Sequence, residues 1–208
     1  MREHGRLGPI EWAAAGRPRP GEQVCGDHQV AVELGDDAAL FAVLDGLGHG
    51  TEAAAAASRA VEVLRGSPAE PLEALVQLCH HALADTRGVA MTLARIDFEA
   101  SVLHWTGVGN VAANLVARAP SGIDVRSSAR LSGGIVGYRL PEIPPLQPVS
   151  IRPGDLLIIA SDGIDENHLD SIDFAASATT ITERILDRHG KNTDDALVLA
   201  ARHRGFPP

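Results

Sequence analysis

A chain of 208 residues, 45% hydrophobic and 22% charged, is long enough to bury a core and too apolar to be disordered. Its net charge of -9 disfavours a broad basic surface, and 3% aromatic residues leave few rings on which bases could stack, so nucleic acid is excluded as a partner. No run approaches the roughly 18 apolar residues of a membrane span. The two cysteines, Cys25 and Cys79, give neither a disulfide framework nor metal-ligand spacing, so a cytoplasmic protein with no membrane contact is expected.

Residues 1–23 are rich in Gly, Pro and Arg, with one short strand expected over 10–15 before Pro18 and Pro20. Residues 28–34 alternate and 38–44 are continuously apolar, as in a half-buried and a buried strand, with Gly35-Asp36-Asp37 turning between them. The alanine-rich stretch 51–64 reads as a helix with Thr51 as its N-cap and Gly66-Ser67-Pro68 as its end, and a second helix is expected over 71–85. Residues 90–98, 101–108 and 111–118 read as an antiparallel meander, joined in part by Gly107-Val108-Gly109-Asn110. Residues 121–148, with strand-like pieces, Gly133-Gly134 and four prolines, predict an irregular surface excursion. A strong strand then begins after Gly154-Asp155, a helix is expected over 171–188 with a stop at Gly190, and 196–201 form a last buried strand. Strands at both ends with consecutive helices between them predict one layered α+β domain over residues 1–208.

The candidate chemistry sits at strand ends. Asp27 and Asp45 each lie nine residues from Asp36, so pairing about that turn places the two carboxylates side by side. Opposed like charges destabilise a sheet, and a hard divalent cation would convert the repulsion into coordination. Asp-Gly is also a common turn dipeptide, and Asp can cap the helix that follows. Near the C-terminus, Ser161-Asp162-Gly163 ends one apolar strand and Asn192-Thr193-Asp194-Asp195 opens another, so Asp162 and Asp194 converge if those strands are antiparallel neighbours. Four acids beside apolar runs suggest a carboxylate cage.

Gly26-Asp27, Asp45-Gly46-Leu47-Gly48-His49-Gly50, Gly107-Val108-Gly109-Asn110, Ser161-Asp162-Gly163 and Asp194-Asp195-Ala196 resemble, in order, the motifs of the PPM superfamily of type-2C metal-dependent serine/threonine phosphatases. The resemblance covers about residues 17–203. It is closest to the SpoIIE-like branch and, through its DGLGHG element, to the stressosome phosphatases within it.

That resemblance implies a four-layer α-β-β-α sandwich of two antiparallel sheets flanked by helix pairs, with two divalent cations, Mn2+ or Mg2+, at one end. It implies that Asp45 bridges both ions, that the Gly46 carbonyl serves one, that Asp27, Asp162 and Asp194 complete the other, and that Asp195 stands behind them, with its role and that of Asp194 open to exchange. Water is then the nucleophile, and Ser161 and Cys25 need no catalytic role. Many eukaryotic-type members carry a histidine directly after the Asp-Gly as general acid; Leu47 stands there, leaving His49 as a candidate acid beside a simple packing role. Arg19 is the candidate phosphate-binding arginine, and Asp165 and Glu166 are the nearest acids for a third ion. The implied substrate is phosphoserine or phosphothreonine on a regulatory protein of STAS-domain type in a stress or anti-sigma pathway. Two alternatives are a non-catalytic partner-binding module and a small-phosphoester hydrolase. The sequence is compatible with a monomer and does not fix the oligomeric state.

Overall fold

In the computed structural model, which describes residues 1–120 and 122–206, burial follows the apolar pattern of the chain closely. The strands are β1 (Arg2–Leu7), β2 (Ile10–Arg17), β3 (Asp27–Leu34), β4 (Ala38–Gly46), β5 (Val89–Asp97), β6 (Val102–Val108), β7 (Ala112–Ala119), β8 (Gly122–Ser128), β9 (Leu131–Ser132), β10 (Val149–Ser150), β11 (Leu156–Ala160) and β12 (Ala196–His203). The helices are α1 (Thr51–Gly66), α2 (Leu72–Ala82) and α3 (Ala178–His189), with a 3-10 segment at Glu166–Ser171.

The first sheet runs β1-β2-β12-β11-β7-β8 and is antiparallel throughout. The second runs β10-β6-β5-β4-β3, with β9 adding a short parallel pairing to β6. Side chains pointing opposite ways along each strand build three apolar layers. Phe41, Val43, Leu157, Ile159, Leu197 and Leu199 meet between the sheets. Leu40, Leu44 and Leu93 pack under Ala56, Ala60 and Leu64 of α1 and Leu75 of α2. On the far side, Leu156, Ile158, Val198 and Ala200 pack under Ile181 and Ile185 of α3. The order of layers is α-β-β-α, as expected.

Three expectations need correction. β7 does not continue a meander with β5 and β6: the chain turns at Gly109, φ +95°, and crosses into the first sheet to pair with β11. The helix pair is complete only over the second sheet, since the other face carries α3 and the 3-10 segment where one helix was expected from residue 171. The break has a local cause, because Asp173 accepts a bond from the Ala175 N–H at 2.9 Å and Ser177 caps α3 through the Thr180 N–H. The N-cap of α1 is Gly50 at φ 76°, with no side-chain cap, and Thr51 is its first residue. In the excursion the strand-like pieces are β8 and β9, and residues 133–148 carry no named strand or helix; its start at Ser121, like residues 207–208, lies outside the described residues. No helix of the described residues is long and apolar enough to cross a membrane.

Candidate metal centre

Register brings the acids together. In the β3–β4 hairpin Asp27 stands directly opposite Asp45, at the end remote from the turn. In the first sheet Ala160 pairs with Val198, so the chain leaving β11 at Asp162 lies beside the chain entering β12 at Asp194. Asp45, Asp162 and Asp194 line one cavity of about 320 Å³, together with Leu47, Gly48 and Asn110. Asp27 lies behind Asp45, 2% exposed. One pair thus comes from each sheet, and their separation is set by the apolar packing between the sheets.

Hydrogen bonds fix the individual carboxylates. Ser161 Oγ donates to Asp27 Oδ2 at 2.7 Å and accepts from the Leu197 N–H at 3.0 Å, which ties the two sheets together at the site. Asn110 Nδ2 donates to Asp162 Oδ2 at 2.6 Å. Asp194 Oδ1 accepts from the Asp195 N–H at 2.9 Å. Asp195 points elsewhere: Oδ1 accepts from the Arg19 N–H at 2.8 Å and Oδ2 from the Gly26 N–H at 2.9 Å. It pins the segment leading into Asp27. Asp195→Ala strands two N–H groups, one of them buried, and is expected to cost about 2–3 kcal/mol of stability. A urea midpoint equal to that of wild type would refute this.

Close approach explains two of the glycines. A Cβ at Gly46 would lie 2.2 Å from the Ala53 carbonyl oxygen of α1, and one at Gly163 would lie 1.8 Å from the Asp195 carbonyl oxygen. Only a bare backbone lets helix and loop close onto the acids here.

The electrostatics are one-sided. Burial pushes the Asp45 carboxyl up to about 9, with Asp27, Asp162 and Asp194 adding to the effect. Burial also pushes Asp27 up to about 7; the Ser161 hydrogen bond opposes the shift, and Asp195, Asp162 and Asp194 reinforce it. Asp162 is raised by burial and by Asp194, and Lys191 acts the other way. Among the described residues none of the four acids forms an ion pair with Lys or Arg. Lys191 Nζ donates to the Asp162 main-chain oxygen at 2.7 Å instead.

Such an all-oxygen, charge-unbalanced donor set suits a hard divalent cation. Among the described residues no three His, Cys, Asp or Glu side chains are gathered tightly enough to enclose an ion by themselves. Cations here would take water and main-chain oxygen to complete their shells, a habit of Mg2+ above all.

The other candidates lie outside the acidic cavity. His49 is at the surface with Nδ1 2.8 Å from Glu22 Oε1 and does not line the cavity. Arg19 contributes its backbone N–H to Asp195. Arg17 uses Nη2 to hold the Gly190 and Lys191 carbonyls, at 3.0 and 2.9 Å. Asp165 caps the 3-10 segment through the Asn167 N–H. Cys25 donates to the Arg17 carbonyl, and burial and the nearby Asp27 push its thiol up to about 12, which makes it no nucleophile. His80 accepts from the Gly137 N–H at 2.9 Å, a structural role.

Sequence patterns alone did not single out Arg87, Asn110 or Ser161 as contributors. Arg87 Nη1 lies 3.0 Å from the position of a Gly48 Cβ at the cavity rim, and its Nη2 pairs with Glu52. No local pattern marks it. Asn110 and Ser161 each sit in a motif already noted.

Residues 35–204 match the family model described as Stage II sporulation protein E (SpoIIE). The phosphoserine phosphatase RsbX of Bacillus subtilis is 26% identical over 150 residues, 71% of each chain. A chain solved in work on the bacterial stressosome, "a modular system that has been adapted to control secondary messenger signaling", is 32% identical, with TM-score 0.82 over 93% of this chain and 99% of that one. RsbX in complex with magnesium shares the fold at 21% identity, with TM-score 0.79 over 97% of this chain and 99% of that one. The PP2C phosphatase domain of B. subtilis SpoIIE shares it at 19% identity, with TM-score 0.76 over 100% of this chain and 66% of that one. With the model match spanning most of its length and the acids in register at one end of a PP2C-type sandwich, this chain belongs to the SpoIIE family.

Proposed function

We propose that this serine/threonine phosphatase removes phosphate from phosphoserine or phosphothreonine of a regulatory partner protein, working in the cytoplasm as one domain with two divalent cations, Mg2+ or Mn2+. The observation that carries the metal assignment is the gathering of Asp45, Asp162 and Asp194 around one cavity, with Asp27 opposite Asp45 and no cationic side chain paired to any of them. Asp45, at the centre of the set, would contact both ions; Asp27, Asp162, Asp194 and the Gly46 carbonyl would share the remaining protein contacts.

Bound there, the cations would supply an acidified water and neutralise the phosphoryl oxygens. The chain's own residues do the positioning. Ser161 holds Asp27, Asn110 holds Asp162, and Asp195 holds the backbone that presents Asp27. Arg87 at the rim would meet an incoming acidic or phosphorylated segment. A phosphorylated regulatory substrate is supported by the name of the RsbX relative and by the stressosome setting of the structural neighbour; STAS-domain type follows from the resemblance of the motifs.

The test is phosphate release from a phosphoserine STAS-domain protein with Mg2+, with Mn2+ and with chelator. Turnover is expected with either metal and is abolished by chelation. A metal-loaded protein that binds the phosphoprotein without turnover would replace this reading with the partner-binding module. Turnover confined to small phosphoesters would replace it with the third reading.

A further inference from the structure

Strand alternation decides which side chains share the outer face of the first sheet at the end remote from the acidic cavity. Val116, Leu156 and Ala200 pack on that face under α3, so Arg118 and Arg202, each two residues further along its strand, fall on the same side. Arg204 follows and is held through Nε to Glu11, which pairs in register with Arg202. The three arginines line a cavity of about 280 Å³ with Gly154, Phe174 and His203. Arg118 and Phe174 also line an adjoining cavity of about 400 Å³. For a chain with 18 Lys and Arg in 208 residues and a net charge of -9, this is a marked local concentration of positive charge.

Arg202 is the decisive residue. It is 2% exposed, and among the described residues only Nη1 has an acceptor, the Ala176 carbonyl at 2.7 Å, while Nε and Nη2 have none. Burying cationic donors without acceptors is costly. The Phe174 ring, 5.8 Å from Cζ, offsets part of that cost without supplying an acceptor.

The carboxylates on the surrounding elements are already engaged. Glu11 accepts from Arg204 and the Ala178 N–H, Asp173 from Arg184 and the Ala175 N–H, and Asp155 from Arg126 and the Arg152 N–H. Asp170 lines only the adjoining cavity. Arg118 forms no ion pair among the described residues.

We propose that this cleft is a second anion site, separate from the acidic cavity, which takes a phosphate group between Arg118 and Arg202 with the Phe174 side chain as its movable wall. A tetrahedral oxyanion offers several acceptor oxygens to guanidinium donors, and fork-shaped donors favour it. No bond is made or broken there, so the site stands whether or not the metal assignment does. Free phosphate and the phosphate of a larger ligand share this chemistry.

The test is a titration of the full, Mg2+-loaded chain with inorganic phosphate, and separately with a nucleoside monophosphate, followed through the arginine Nε–H resonances. The Arg202 signal is identified by its loss in Arg202→Lys. A saturable Arg202 shift is expected, with affinity weakened about tenfold in Arg118→Ala and unchanged in Asp162→Asn. Tighter binding of the nucleotide would point to the larger ligand, and equal binding to free phosphate. No saturable shift up to about 10 mM would overturn the proposal. So would an affinity left unchanged by Arg118→Ala, or a shift that is lost in Asp162→Asn.

Discussion

Asp45→Asn is expected to reduce phosphate release by about a thousandfold or more, equivalent to roughly 4 kcal/mol of transition-state stabilisation, and to leave the fold intact. The substitution keeps size and shape and replaces a carboxyl that the folded, metal-free protein must keep protonated near neutral pH, at a cost, with an amide that does not titrate. The same change should therefore stabilise the metal-free protein. Relief of about 1–3 kcal/mol of that protonation cost would raise its melting temperature by roughly 3–10 °C. Asp162→Asn should behave alike in activity, with a smaller gain in stability because Asp162 already accepts from Asn110 and feels Lys191. Phosphate assays and thermal melts in chelator check both halves. An Asn variant that turns over at the wild-type rate would remove Asp45 from the site; one that is inactive and also unfolded would show that the carboxylate supports the fold.

The second large effect is a fall in the stability of the metal-free protein as pH rises. Asp45 and Asp27 have folded-state pKa values of about 9 and about 7, against 3.8 in an unfolded chain. Between 3.8 and those values the folded state holds protons that the unfolded state has released, so raising the pH favours unfolding. The slope is about 1.4 kcal/mol per pH unit for one fully shifted group, and it flattens above the folded value. The effect is expected across about pH 6.5 to 9 in chelator and should largely vanish in Mg2+, where the carboxylates are held ionised. Groups with lowered values act in the opposite sense, Glu11 at acid pH and the half-buried or buried His28, His168 and His203 up to about pH 6.5, so the fall is read above that pH. Urea midpoints at three pH values, with and without Mg2+, measure it. Stability that is level or rising across that window in chelator would sink the account.

What the sequence made legible was whatever is apolar and regular. The runs that became β4, β11 and β12 are buried on both faces and have few alternative readings, and the symmetric placement of Asp27 and Asp45 about Asp36 matches their observed pairing. β1 was missed because it is an edge strand largely turned to solvent, with a sequence REHGRL that carries no apolar alternation, while the short Ile123/Val125 alternation of β8, the other edge, marked no more than a strand-like piece of the excursion. The crossing after β6 was misread for a different reason. Period-two alternation identifies a strand but not its sheet, and Gly109 sits in what looks like an ordinary hairpin turn. Within the site, the acids were visible as strand-end residues. The work of Asp195 was not, because its two N–H partners, Arg19 and Gly26, lie about 170 residues away in sequence and meet it only in the fold.

The position of β12 has a bearing on biosynthesis. This last strand is not at an edge: it lies between β2 and β11, and it brings Asp194 and Asp195 with it. A nascent chain that has not yet released this segment from the ribosome leaves β2 and β11 with unsatisfied neighbouring edges and lacks part of the acidic set. Such long-range pairing is slow to form. The two pairs of acids are therefore separated in time as well as in sequence, and any cation they would hold together can be captured only after β12 has emerged and paired.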